Sequence, residues 1–255
     1  MNKEKLIENR NQELYDKVHQ VYKINLKKSD DHSWGSHTTK DAFIISHSQT
    51  KHPVSAFTHE LLHADTQLNG YKRIRGGLSL DLETHEHLRR ICTCIDNEFQ
   101  HHKMFDKFIS LGFPADEFYN DLDTEIIPYL ENIINTPSKS FISLAVDFLT
   151  LIAPGGIIPL DKLEELKQSF YNYDGVKYRE KFEIIEKIIE DWKADLGYDA
   201  EAYIVRFFQN LDAGPTWITY SDNLDKGVSS DNFPSTGFFT DRSFTIQEIV
   251  KAFDN

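Results

Sequence analysis

The segment Thr58-His59-Glu60-Leu61-Leu62-His63-Ala64 contains the arrangement His-Glu-x-x-His, whose residue types suit metal-assisted hydrolysis. On an α-helix, side chains four residues apart lie one above the other, so His59 and His63 would present two imidazoles to one ion. Glu60 would project beside that ion, where its carboxylate can take a proton from the attacking water. The segment therefore predicts two metal ligands and a general base.

A third protein ligand is required, because a catalytic zinc ion commonly has three protein ligands and one open position. The candidates in the next predicted helix are His85, Glu86, His87, Glu98, His101 and His102. Glu98 lies between Ile95 and Phe99 of an apolar stripe, where a carboxylate is costly to bury without a cation or metal. We therefore predict that His59, His63 and Glu98 bind one Zn²⁺ per chain.

Several other polar residues near this motif are candidates for supporting roles. Each can orient a metal ligand through a hydrogen bond without binding the metal itself, or can stabilise the oxyanion of the intermediate. They are His102, His101, Tyr71 and Tyr119. Asp65 is a further candidate for orienting a histidine. The sequence does not choose among them.

Strong local signals delimit the elements that carry the motif. The apolar run over 42–46 predicts a strand. Pro53 favours the first turn of a helix that runs to about residue 68, where Asn69-Gly70 ends it. A long helix over 81–111 follows and is stopped by Gly112. Together these elements predict an α+β fold.

The rest of the chain is predicted to be mostly helical. Residues 4–22 predict an amphipathic helix, 29–40 a polar loop and Gly76-Gly77 a flexible loop. The further predictions are helices over 121–135, 139–152, 161–172, 176–196, 199–211 and 244–253, and a loop over 212–243 with a strand around 217–220. We predict a catalytic region over 1–120 and a mostly α-helical region over 121–255, which can belong to the same domain.

Composition restricts the class of protein. The 255 residues carry a net charge of -13, which disfavours binding to the phosphate backbone of nucleic acids. The two cysteines, Cys92 and Cys94, would point to different faces of a helix and form no disulfide, which fits a reducing compartment. Neither an 18-residue apolar run nor a secretory signal is visible. We expect a cytoplasmic protein with no membrane partner, and the oligomeric state is not indicated.

The motif and its spacing resemble those of the gluzincin metallopeptidases. The similarity rests on residues 58–64 and on Asn97-Glu98-Phe99-Gln100-His101, with Glu98 35 residues after His63. The chain is also similar to the compact ImmA/IrrE-type relatives. The resemblance covers about 40–112 and implies a zincin fold, a zinc peptidase activity, and a 42–46 strand at a sheet edge along which a peptide substrate lies. One departure is that His102 stands where thermolysin-like members have an aspartate.

Two alternatives of other classes remain open. One is a regulatory or binding protein built on a zincin scaffold. The other is a di-iron carboxylate protein, since Glu60-x-x-His63 and Glu98-x-x-His101 are two Glu-x-x-His motifs. A di-iron bundle needs a further helix between the two motif helices, and residues 64–97 hold no spare one.

Overall fold

The protein is represented by a computed structural model that describes residues 2–29, 33–119, 126–137, 139–155, 158–176, 178–220, 236–241, 243–245, 247, 248 and 251. The chain divides into two compact units. Unit 1 comprises Met1–Tyr71, Gln100–Tyr129 and Pro154–Pro159, and unit 2 comprises Lys72–Phe99, Leu130–Ala153 and Leu160–Asn255. The units therefore interleave along the chain, whereas the sequence suggested a single division near residue 120.

The sheet of unit 1 has three strands in the order β1-β3-β2. They are β1 (Lys23–Lys28), β2 (Gly35–Thr38) and β3 (Ala42–His47). β3 pairs in parallel with β1 and antiparallel with β2. Alternate residues of β3, Phe43 and Ile45, are fully buried, so one face of this strand packs on the core.

The predicted strand over 42–46 is confirmed, but its predicted place at a sheet edge is wrong. β3 is the central strand, and β1 and β2 are the edges of the described sheet. The prediction failed because neither neighbour has a typical strand sequence. β1 is rich in lysine, and β2 is the polar run Gly-Ser-His-Thr within the predicted loop over 29–40.

The N-terminal helix is shorter than predicted. In place of one helix over 4–22, unit 1 has a short 3-10 helix (Lys3–Leu6) and then α1 (Gln12–Val21). Asn11 separates them: its side-chain amide donates to the Leu6 carbonyl and to the Thr58 hydroxyl, both at 2.9 Å. Because an asparagine side chain competes for backbone partners, it breaks the helix despite the apolar periodicity.

The two motif helices are confirmed. α2 (Pro53–Leu68) begins with Pro53 at its first turn and ends before Gly70, whose φ of 110° belongs to the left-handed region. α3 (Leu82–Ser110) contributes its residues to Phe99 to unit 2 and those from Gln100 to unit 1. A second short 3-10 helix (Ala115–Glu117) follows. The unit 1 core packs α1, α2 and the sheet around apolar side chains that include Val18, Phe57, Leu61 and Phe108.

Unit 2 has its own antiparallel sheet, in the order β4-β5-β6. Its strands are β4 (Gly76–Ser79), β5 (Thr216–Thr219) and β6 (Gly237–Phe239). The strand around 217–220 is confirmed, but the loop predicted at Gly76-Gly77 is wrong. Gly77 is needed in β4 because a Cβ there would lie 2.6 Å from the Trp217 carbonyl oxygen.

The remaining described helices largely agree with the predicted ones. They are α4 (Ile126–Asn135), α5 (Phe141–Leu151), α6 (Leu160–Tyr171), α7 (Arg179–Ala194) and α8 (Glu201–Asn210). Residues 121–125 and half of the helix predicted over 244–253 lie outside the described residues. Among the helices described, none has the length and apolarity that a membrane crossing requires. Both cysteines are free.

A buried carboxylate ties three helices of unit 1 together. Asp65 of α2 accepts hydrogen bonds from Lys17 Nζ of α1 at 2.6 Å and from Lys107 Nζ of α3 at 2.7 Å. Asn69 donates to the same carboxylate at 3.2 Å. None of these partners is a histidine, so the contacts found among the described residues give no support to the suggestion that Asp65 orients one. Burial raises the pKa of Asp65, but the two lysines lower it more, and the net pKa is below its ordinary value.

We expect Asp65→Asn to destabilise the protein by about 1–3 kcal/mol at pH 7, because one amide cannot satisfy both lysines. Since the folded-state pKa is lowered, this contribution is present above the unfolded-state pKa of about 4 and is lost as the pH falls through the folded value. Urea unfolding from pH 7 to pH 3 measures it. The difference in the free energy of unfolding between wild type and Asp65→Asn should become smaller as the pH falls. The exposed Asp16→Asn should leave the free energy of unfolding nearly unchanged. A pH-independent gap would contradict the ionic account.

Candidate metal centre

Three imidazoles of unit 1 converge on one point. His59 and His63 lie one turn apart on α2, and His101 comes from α3. One ligand atom from each lies within 4.8 Å of the others. The ring centroids are 5.0 Å apart for His59 and His63, 5.0 Å for His59 and His101, and 5.3 Å for His63 and His101. The group can therefore bind a metal ion.

His59 supplies a direct indication that the site suits a cation. Its Nδ1 atom is buried and has no hydrogen-bond partner among the described residues. Burial lowers the pKa of His59 well below its ordinary value, and the nearby His101 lowers it further, while a backbone interaction with Phe118 acts in the opposite direction. The imidazole is thus neutral near pH 7 and keeps the lone pair that a metal ligand needs. A buried polar atom without a partner is costly, and metal binding at this imidazole would offset that cost.

The orientation of His63 is set by Gln100. The His63 Nδ1 atom lies 3.1 Å from the Gln100 side-chain oxygen. Because an amide oxygen only accepts, Nδ1 carries the proton and Nε2 keeps its lone pair. The Thr66 hydroxyl also donates to this oxygen, at 3.2 Å, and to the His63 carbonyl, at 2.8 Å. Gln100 is fully buried, so its amide is fixed in place.

The third imidazole has a phenolic partner. Tyr119 Oη lies 3.1 Å from His101 Nδ1, and the two rings are nearly perpendicular with centroids 5.1 Å apart. When Nδ1–H donates to the Tyr119 oxygen, His101 Nε2 carries the lone pair that a metal ligand needs. Phe118 packs against His59 at a centroid distance of 4.6 Å and against His101 at 5.5 Å. Aromatic side chains therefore line one side of the three-histidine group.

The structure brings together only some of the residues predicted for the site. Glu98 is buried on the unit 2 part of α3, one turn before His101, and is not a member of the group found among the described residues. His101, predicted in a supporting role, occupies the place of third ligand in that group. Tyr119 contacts His101 and so has a supporting position. Glu98 as a ligand stays a prediction.

The other predicted residues lie within unit 1. Glu60 is buried beside His59 on α2 and is not one of the three grouped ligands, as a general base requires. His102 and Tyr71 are also buried. A catalytic role for Glu60 and supporting roles for His102 and Tyr71 stay predictions.

Gln100 was not assigned a role from the sequence, and His101 was not preferred as a ligand. A signal for His101 was present: Met104, Phe105 and Phe108 follow it at three, four and seven residues, which places His101 on the inward stripe of α3. No comparable signal identifies Gln100, because its partners Thr66 and His63 lie on another helix.

Comparison of the chain with protein-family models, curated proteins and solved structures found no match. The zincin fold implied by the resemblance therefore stays an expectation. The function proposed below rests on the side chains of unit 1.

We expect Gln100→Leu to weaken zinc binding about 10- to 100-fold, because removing an outer hydrogen-bond partner leaves the ligand histidine without its fixed tautomer. Competition with a chromophoric chelator measures the dissociation constant.

Gln67→Leu is a matched control, since the Gln67 amide donates at 2.9 Å to the backbone carbonyl of His63 and not to a ring nitrogen. Its zinc affinity should remain within about threefold of wild type, well short of the loss expected at Gln100. Equal losses in the two variants would show that general packing, and not the His63 tautomer, controls affinity.

Proposed function

We propose that unit 1 is a zinc-dependent hydrolase in which His59, His63 and His101 hold one Zn²⁺ and Glu60 is the general base. The observation that carries this proposal is the convergence of three imidazoles next to the glutamate of a His-Glu-x-x-His helix. Two of the proposed metal ligands and the proposed general base therefore lie on the same helix.

The donor set fits zinc. Neutral imidazole nitrogen is a preferred ligand of Zn²⁺, and three protein ligands leave a position open for water or substrate, as catalytic zinc sites do. Imidazole also binds other transition metals, so the nitrogen donors favour zinc over magnesium or calcium but do not select it alone. The number of ligands distinguishes a catalytic site from a closed structural one.

The proposed chemistry divides between ion and protein. A bound Zn²⁺ would lower the pKa of water towards about 7 and polarise the scissile carbonyl. Glu60 accepts a proton from the attacking water and delivers it to the leaving amine. The Tyr119 hydroxyl and the Gln100 amide hold His101 and His63 in the tautomers in which Nε2 carries the lone pair.

Peptide amide bonds are the proposed substrate class. Support for this class comes from the resemblance of residues 58–64 to metallopeptidases. β3 is the central strand of its sheet, so a substrate peptide cannot pair with it as the resemblance implied. A peptide that adds to this sheet would pair with an edge strand, β1 or β2.

We expect Glu60→Gln to retain close to one zinc per chain and to lose at least about 100-fold in the rate of peptide hydrolysis, because an amide cannot act as the base. Metal content is measured by plasma mass spectrometry, and hydrolysis with a library of internally quenched peptides. The exposed Glu13→Gln is the matched control and should keep full activity.

Full peptide cleavage by Glu60→Gln would overturn the proposed mechanism. A wild-type protein that binds zinc but cleaves no peptide would favour a regulatory or binding role on the same site.

A di-iron centre is the second candidate, because the structure brings together the two histidines of the Glu-x-x-His motifs, His63 and His101. Such a centre also needs both glutamates, Glu60 and Glu98, as ligands. Neither glutamate belongs to the group of candidate ligands in the described residues. The same metal analysis discriminates: about two iron ions per chain would indicate this centre, and about one zinc ion the proposed hydrolase.

A further inference from the structure

The loop that follows α3 touches two of the three imidazoles. We call residues 115–119 the strap. Its 3-10 turn, Ala115–Glu117, leads directly into Phe118, which packs on His59, and Tyr119, whose hydroxyl lies 3.1 Å from His101 Nδ1. Because these contacts come from consecutive residues, the position of the strap determines both of them.

Glu117 attaches the strap to the helix that carries His59 and His63. Its Oε2 atom accepts a short hydrogen bond from the hydroxyl of Ser55, in the first turn of α2. Its Oε1 atom lies 3.0 Å from Nδ1 of His52, the residue directly before α2. Ser55 is buried, so one of these contacts is shielded from water, and each oxygen of the carboxylate has a partner from the start of α2.

The Tyr119 ring is also supported by backbone from another segment of unit 1. Gly155 has a φ of 116°, and a Cβ built there would lie 3.4 Å from Tyr119 Cδ2 and Cε2. The backbone of Gly155 therefore lies close against the ring. His101 and Gly155 limit movement of this ring, and the anchor at Glu117 fixes where along α2 the strap lies.

We infer that Glu117 is a positioning residue for the metal centre. By fixing the strap to the start of α2, Glu117 holds the Tyr119 hydroxyl against His101 Nδ1, and so holds the His101 ring and its tautomer. The effect on metal affinity rests on the function proposed above, whereas the effect on the hydrogen bond between Tyr119 and His101 does not. Outer partners of a ligand histidine typically change metal affinity 10- to 100-fold. Glu117 acts one contact further out, and we expect about a 3- to 10-fold effect.

A simpler role for Glu117 predicts different results. A carboxylate near the first turn of a helix stabilises it through the helix dipole and the free N–H groups. In that role Glu117 would contribute to stability alone. Its replacement would then leave His101 and the metal affinity of the folded protein unchanged.

The test compares Glu117→Ala and Ser55→Ala with Asp116→Ala, which removes an exposed carboxylate from the same turn. The first readout is the imidazole ¹⁵N shifts of His101 in the full-length, metal-free protein, assigned by their loss in His101→Asn. We expect Glu117→Ala and Ser55→Ala to move these shifts in the direction that Tyr119→Phe does, and Asp116→Ala to leave them unchanged. Ser55→Ala is nearly isosteric and keeps the test valid if Glu117→Ala does not fold.

The second readout is zinc affinity of the folded variants by chelator competition, in a double-mutant cycle with Tyr119→Phe. If Glu117 acts through Tyr119, Glu117→Ala adds nothing to the loss caused by Tyr119→Phe. Additive losses, or His101 shifts that match wild type in both Glu117→Ala and Ser55→Ala, would overturn the inference. A wild-type protein that binds no zinc would refute the proposed hydrolase, and the ¹⁵N comparison would still decide the role of Glu117.

Discussion

The burial of three imidazoles within reach of one ion is the constraint on which the site depends. Each ring has two nitrogens, and buried nitrogens need partners. His63 and His101 direct Nδ1 to Gln100 and Tyr119, and a proton on Nδ1 places the lone pair of each ring on Nε2. His59 Nδ1 is buried and has no hydrogen-bond partner in the part of the chain that the structure describes. Keeping these groups together without a cation is costly, and binding a metal would offset that cost.

The surrounding polar contacts of unit 1 fix the elements that carry these rings. The Asp65 carboxylate, with its two lysines, joins α2 to α1 and α3. Glu117 joins the strap to the start of α2. Gln100 connects α3 to the middle of α2 through His63 and Thr66. These contacts act at different points along α2, so together they restrict both its position and its rotation relative to the residues from 100 onward.

The parts of the fold that were predictable have local causes. α2 has proline at its start and glycine beyond its end, and α3 ends before Gly112, whose φ is 85°. The spacing of His59 and His63 is a property of any helix. Strands β1, β2, β4 and β6 were not predicted, because their lysines, polar residues and glycines do not favour a strand by themselves and are stabilised by pairing with a neighbouring strand.

The third ligand could not be predicted from the expected burial of side chains alone. The cost of burying a carboxylate favoured Glu98, but Glu98 and His101 are both buried in the structure. Burial therefore does not separate them. Among the described residues only His101 is grouped with His59 and His63, and this grouping depends on how α2 lies against the part of α3 within unit 1. Gln100 was missed for the same reason, since its role exists only through a contact between helices.

Anomalous diffraction at the zinc absorption edge, from crystals grown with zinc, tests the central claim most directly. We expect one peak per chain at about 2.0–2.1 Å from a nitrogen of each of His59, His63 and His101, with a further position open to solvent. A zinc ion bound by Glu98 while His101 points away, or one closed by a fourth protein ligand, would contradict this account.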